Sequence, residues 1–126
     1  MPLCREELAW AGGLFTGEGT TGYSLNGTRV RRIRMQLQMT TEADVQRFHK
    51  AVGSLGTIIG PRDMTKWNPN AKPLYRWGVA NFEGVQAIIA MLWPWLGNTK
   101  KAQAAKALTA YKAGQHRMVR VHNALI

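Results

Sequence analysis

Acidic residues are scarce in this chain. Seven Asp and Glu stand against seventeen Lys and Arg among 126 residues, a formal charge of +10 at pH 7. The basic residues are spread along the sequence and not gathered in a tail. A surplus of this size disfavours a cationic partner and favours a polyanion, nucleic acid first and an anionic membrane second. Cysteine is limited to Cys4, which excludes an intramolecular disulfide and a disulfide-stapled scaffold. Long apolar runs are missing too. The most apolar window, Val85 to Leu96, falls short of the roughly 20 residues that span a bilayer and is interrupted by Pro94, so it reads as a buried helix and no membrane partner is expected. No charged segment followed by an apolar one opens the sequence, and the expected location is the cytoplasm. His49, His116 and His122 lack the spacing of metal ligands.

What is present fits one domain over residues 1–126, long enough to bury about two thirds of its unfolded surface. The stretch Leu8-Ala9-Trp10-Ala11-Gly12-Gly13-Leu14-Phe15-Thr16-Gly17-Glu18-Gly19 organises the rest. A helix over Leu3 to Phe15, with Glu6 and Glu7 in its first turn, is expected to stop at Gly17 and Gly19. That delivers a single carboxylate, Glu18, at a helix-to-strand corner. Gly12 and Gly13 each cost a helix interior about 1 kcal/mol relative to Ala. Their presence in an apolar run points to close approach of another backbone.

Residues 20 to 39 read as a hairpin with strands over Thr20 to Leu25 and Val30 to Met39 and a turn at Asn26-Gly27. In the second strand Ile33, Met35, Leu37 and Met39 alternate with Arg32, Arg34, Gln36 and Gln38. One face is core and the other is a row of long hydrogen-bond donors, the side-chain types that read guanine and adenine edges. A solvated face is the commoner fate of alternating polar residues. Two Arg and two Gln with no acid among them favour DNA.

A helix over Glu42 to Val52 follows, opened by Thr41-Glu42-Ala43-Asp44 as a near capping box and stopped by Gly53. A second hairpin pairs Thr57-Ile58-Ile59 with Leu74 to Ala80, and Arg76 falls on the face opposite Tyr75, Trp77 and Val79, hence on the open surface with Arg32 and Arg34. A third helix runs from Phe82 to about Met91 and ends near Pro94. A fourth, Thr99 to Ala113, is capped by Asn98 or Thr99, turns Ala102, Ala105 and Leu108 inward and stops at Gly114, leaving 115–126 as a basic tail or a final packed element. Lys100 and Lys101 lie at its N-terminus, the unfavourable end for positive charge, where a nearby anion or simple solvent exposure would each account for them. The sum is an α+β fold of order αββαββα plus a last helix. One four-stranded antiparallel sheet carries helices on one face and leaves the other open.

Gly12-Gly13-Leu14-Phe15-Thr16-Gly17-Glu18-Gly19 resembles the signature of the LAGLIDADG homing endonucleases in its Ala-Gly-Leu-Phe-Asp-Gly-Glu-Gly form. The signature helix then covers residues 3–19, Gly12 stands for Ala, and Thr16 stands for the first acidic residue. The resemblance continues through both hairpins to Trp95-Leu96-Gly97-Asn98-Thr99-Lys100-Lys101-Ala102-Gln103-Ala104, covering residues 6 to 110.

It implies a homodimer in which two signature helices pack through Ala9, Gly12 and Gly13. The two Glu18 carboxylates then meet at the two-fold axis, each holding Mg²⁺ beside a scissile phosphate. It implies cleavage of both strands of double-stranded DNA across the minor groove with 3′ overhangs, the sheets lying in the flanking major grooves, and with it intron or intein mobility. Lys100, or Lys101 next to it, aligns with an active-site lysine of the family, and Thr41 or Gln38 with a polar residue at the end of the second strand. A non-cleaving nucleic-acid binder of the same fold, an RNA maturase or a DNA-binding regulator, is the competing reading.

Overall fold

The computed structural model describes residues 3–26 and 30–125, with side chains described for 3–24 and 32–114. The chain runs α1 (Arg5–Glu18), β1 (Gly19–Asn26), β2 (Val30–Met39), α2 (Glu42–Ala51), β3 (Thr57–Arg62), β4 (Leu74–Val79), α3 (Phe82–Leu92), a 3₁₀ turn (Trp93–Trp95) and α4 (Asn98–Leu125). The four strands form one antiparallel sheet in the order β1-β2-β4-β3. The expected α+β architecture is the one observed.

Alternation along β2 sets the two faces. Ile33, Met35 and Leu37 are buried, while Arg32, Arg34 and Gln38 are exposed. Register carries this division to β4, where Leu37 lies opposite Trp77 and Met35 opposite Val79, both buried. The helices cover this inner face. Trp77 lies edge-on to Phe48 of α2 at 4.7 Å, Phe48 lies near Phe15 of α1 at 6.2 Å, and Val85, Ile88 and Leu92 of α3 complete the core. The indole N–H of Trp77 donates to the carbonyl of Leu55, so the largest core residue leaves no polar atom orphaned.

Several sequence expectations shift. Gly17 does not end α1; it is an exposed helical residue, and the helix continues to Glu18 because Gly19 N–H still finds Phe15 O. Thr41 occupies the cap position of α2 in extended backbone, but its hydroxyl makes no capping bond. After α2, Gly53 and Ser54 both take positive φ, at 71° and 61°. Of the turn expected at Asn26-Gly27, Asn26 is still strand, opposite Val30, and Gly27 lies outside the described residues.

The fourth helix passes through Gly114 to Leu125, since one interior glycine costs only about 1 kcal/mol and the run before it is rich in Ala, Leu and Lys. Residues 115–125, expected as a tail or a final packed element, are helical backbone continuous with α4. Its inward residues are Ala104 and Ala107, with Leu108 and Tyr111 packed beside them; Ala102 and Ala105 are exposed. Tyr111 stacks on Phe82 at 4.7 Å and meets Tyr23 of β1 edge-on at 6.3 Å. Among the described residues no helix is long and apolar enough to cross a membrane.

Candidate catalytic corner and nucleic-acid interface

Helix α1 passes into β1 with no residue between them. Glu18 is the last helical residue and Gly19, at φ −89° and ψ 164°, the first extended one. Gly19 is needed for room and not for its backbone angles: a Cβ there would stand 2.2 Å from the Phe15 ring. Glu18 is exposed and has no hydrogen-bond or ion-pair partner among the described residues. It sits at the negative end of the helix dipole, with no basic residue in that last turn. A carboxylate is disfavoured at that end, whereas a cation is favoured there. The corner therefore concentrates negative potential on a protruding side chain.

Three bonds from Gly97 and the first turns of α4 hold the chain on either side of Glu18. Gly97 N–H donates to Thr16 Oγ1 at 3.0 Å, Lys100 Nζ donates to the carbonyl of Gly19, and Thr21 N–H donates to Gln103 Oε1 at 2.9 Å. The Thr16 hydroxyl in turn donates to Gly12 O at 2.8 Å, so one side chain bridges two elements. Gly97 allows this approach, as a Cβ there would lie 2.8 Å from Thr16 Cγ2. The two lysines at the head of α4 thus find partners inside the chain: Lys100 the Gly19 carbonyl, and Lys101 the Trp93 ring at 5.2 Å. Glu18 and Lys100 are brought to one corner.

The open face of the sheet begins beside it. Across the strands Thr20 lies opposite Gln36, Gln36 opposite Gly78, and Gly78 opposite Thr57. Gln38 lies opposite Arg76, and Arg76 opposite Ile59. Toward the far end Gly22 pairs with Arg34 and Ser24 with Arg32. The register places Arg32, Arg34, Gln36, Gln38 and Arg76 on one surface that holds no acidic residue among those described. None of its three arginines has a salt-bridge partner there either; the one ion pair among the described residues joins Arg47 to Glu7 at 2.8 Å.

The small residues of α1 divide. Gly12 is buried, and a Cβ on it would lie 2.6 Å from Trp95 Cβ, so the close approach read from the sequence is made within the chain, to the 3₁₀ turn. Gly13 and Gly17 are exposed with nothing within 4 Å of a Cβ position, and Ala9 is half-buried. Ala9, Gly13 and Gly17 recur every four residues and form one open line along the helix. The i, i+4, i+8 spacing could have shown Gly17 to be part of it. No comparable signal marked Thr16, Gly97 or Gln103, whose partners lie about eighty residues away.

At the other end of α1, Glu7 and Arg47 line a cleft of about 530 Å³ with Leu3, Cys4, Lys50 and Ser54. The Arg47 guanidinium, which also lies 3.9 Å from the Trp10 ring, holds the Glu7 carboxyl below the usual range. His49 contacts the carbonyl of Gly56 at 3.0 Å and is used structurally. The side chains of His116 and His122 lie outside those described.

A sheet with helices on one face and, among the described residues, a basic, acid-free surface on the other defines the class: an α+β protein with an open, basic sheet face. No protein-family model and no curated protein matches the chain. Solved structures do. The homing endonuclease I-CvuI in complex with the I-CreI target in the presence of Mg is 19% identical at a TM-score of 0.66, over 86% of this chain and 67% of that one. The LAGLIDADG meganuclease I-AabMI bound to uncleaved DNA is 17% identical at 0.67, over 89% of this chain and 38% of the other. The LAGLIDADG homing endonuclease I-LtrWI bound to target DNA is 18% identical at 0.66, over 90% and 40%. The chain has the LAGLIDADG homing endonuclease fold. It spans about two thirds of the I-CvuI chain and less than half of the other two.

Proposed function

We propose that the protein is a site-specific double-strand DNA endonuclease that acts as a homodimer, hydrolyses phosphodiester bonds with Mg²⁺ and leaves 3′ overhangs. The observation that carries this reading is Glu18, an exposed, partnerless carboxylate at a loopless helix-to-strand corner beside Lys100 and at the rim of an acid-free basic sheet. A purely structural basic protein has no use for a carboxylate at the disfavoured end of a helix.

Among the described residues no three potential metal ligands cluster, so one chain offers one carboxylate. That donor set suits Mg²⁺, which takes oxygen ligands and is commonly held by one or two carboxylates with phosphate oxygens and waters. The complexes of I-CvuI with Mg or Ca and DNA support a divalent ion for the fold. When bound, the ion supplies Lewis-acid stabilisation of charge on phosphate oxygens and a more acidic water. The chain supplies the rest. Glu18 directs negative potential to one point, the bonds from Gly97, Lys100 and Gln103 hold the chain on either side of it, and Lys100 adds a positive charge beside the phosphate. Arg32, Arg34, Gln36, Gln38 and Arg76 engage base edges and phosphates.

Dimerisation follows from the line of Ala9, Gly13 and Gly17, which lets a second α1 approach closely; Gly12 is already occupied by Trp95. Two copies then bring two Glu18 carboxylates together, one for each strand.

The test uses Glu18→Gln, which keeps the shape and removes the charge, to select duplexes from a random pool, followed by exposure of the selected duplexes to the unmodified protein with Mg²⁺. Paired cuts with 3′ overhangs inside a pseudo-palindrome are expected, with no cutting by Glu18→Gln. A symmetric site that is bound and never cut would make the protein a DNA-binding regulator, and no enriched duplex at all would turn the reading to a maturase acting on structured RNA.

A further inference from the structure

The β3–β4 connection, residues 63–73, is long for a hairpin and carries the most exposed large apolar side chain described, Trp67 at 62%. The loop is nevertheless held in shape by its own hydrogen bonds. Asp63 accepts from the N–H and hydroxyl of Thr65, Met64 O accepts from Trp67 and Asn68 N–H, and Asn68 accepts from Asn70 and Ala71. An ordered loop that leaves an indole in water, and not in the core, has an unexplained cost.

Its surroundings identify what the indole meets. Arg62 lies 5.5 Å and Lys66 5.8 Å from the centre of the Trp67 ring. Lys72 adds a third cation to the segment, and the one acid there, Asp63, is occupied by Thr65. Arg62 is paired with Leu74, which shares its face of β4 with Arg76, so Arg62 belongs to the open face and brings Trp67 to its border. Register also fixes the end: Met39 lies opposite Tyr75 and Gly19 opposite Leu37, so the loop leaves the sheet at the end of the Glu18 corner, away from residues 27–29. An exposed aromatic ring with two cations close to it fits a duplex that is kinked where it passes the protein, the ring against a base step and the cations on the flanking phosphates.

We infer that Trp67 is a DNA-deforming wedge, with Arg62 and Lys66 as its phosphate clamps. The inference rests on the DNA reading above and adds to it a residue and an action on the duplex. Trp67→Ala, Lys66→Gln and Arg32→Ala are compared on a duplex selected as above, by affinity at several salt concentrations and by donor–acceptor distance across the bound duplex. Thermal unfolding confirms that each variant is folded. Trp67→Ala is expected to lose about tenfold in affinity with an unchanged salt slope and to leave the duplex straighter by about 20° or more. Lys66→Gln should lower the salt slope by about one and leave the bend in place. Backbone protection lost with Trp67→Ala should lie closer to the cut than protection lost with Arg32→Ala. Trp67→Ala that binds and bends like the unmodified protein overturns the wedge and leaves the DNA reading standing. Absence of any duplex binding by the unmodified protein overturns both.

Discussion

At the β1 edge of the sheet a helix lies along the strand and reaches it with side chains from residues 100 and 103, while Tyr111 closes on Tyr23 further along. At the β3 edge the strand is almost wholly exposed, shifts its register between Ile59 and Arg62 around Gly60-Pro61, and is followed by a loop bonded mainly to itself. An exposed edge invites pairing with another chain, and a register shift or a charged residue is the usual protection. Here the shift and Arg62 supply both. The β1 edge instead carries the corner with Glu18, where, on the proposed reading, a displacement of an ångström would separate carboxylate and phosphate. The edge tied to the rest of the fold carries the corner where chemistry is proposed, and the exposed edge carries the self-bonded loop proposed to meet the duplex.

Substitutions on the covered side should be the more damaging. The largest effect on stability is expected from Gly12→Ala, whose added methyl meets Trp95: a loss of about 1 to 3 kcal/mol, read as a lower midpoint in thermal or urea unfolding. The same change one residue on, Gly13→Ala, should raise monomer stability by up to about 1 kcal/mol, since only helix propensity changes. Equal effects at the two glycines would mean that Trp95 does not pack against Gly12. Gln103→Ala leaves Thr21 N–H without its acceptor and should cost about 1 to 2 kcal/mol, with a larger fall in cleavage than in binding because the strand end after Glu18 is loosened. If binding and cleavage fall together, the clamp serves the fold alone.

The smallest effect belongs to the exposed side. The Thr65 hydroxyl and N–H hold the Asp63 carboxyl below its ordinary value. A depressed folded pKa gives a contribution that is fully present above the unfolded value and lost as pH falls through the folded one. Acidification through that range should therefore release the loop, seen as a titrating Thr65 amide resonance, while the Thr21 amide stays fixed. A Thr21 amide that titrated with it would erase the contrast.

Local chemistry was legible in the sequence. Period-two alternation in β2 separates Ile33, Met35 and Leu37 from Arg32, Arg34, Gln36 and Gln38 without any knowledge of the partner strands. Leu8 to Gly19 marked the corner for a related reason, because a helix, two glycines and a lone acid lie within a few residues. What could not be read was orientation. Gly12 announces a close contact but not whether Trp95 or a second chain makes it, and Gly13 differs from it only in facing the other way. Nor does α4 declare which alanines turn inward, since alanine occupies positions on several sides and its rotation is set by Gln103 and Lys100 reaching β1. Thr16 looked like a lost acid, yet its hydroxyl serves both Gly12 and Gly97.

The direct junction of helix and strand has a metric consequence. With no linker to absorb slack, the distance from Glu18 to each position of β1 is fixed by the strand's own rise, about 3.4 Å per residue. Stacked base pairs also repeat at about 3.4 Å. A strand laid along the duplex is thus graduated in base pairs, with its zero at Gly19, next to the carboxylate. Ser24 and its neighbour Arg32 lie five residue steps beyond Gly19, roughly 17 Å away, whereas Gln36 beside Thr20 lies at the first mark. On the proposed reading, one rigid ruler then sets both the place where a strand is cut and the bases that are read.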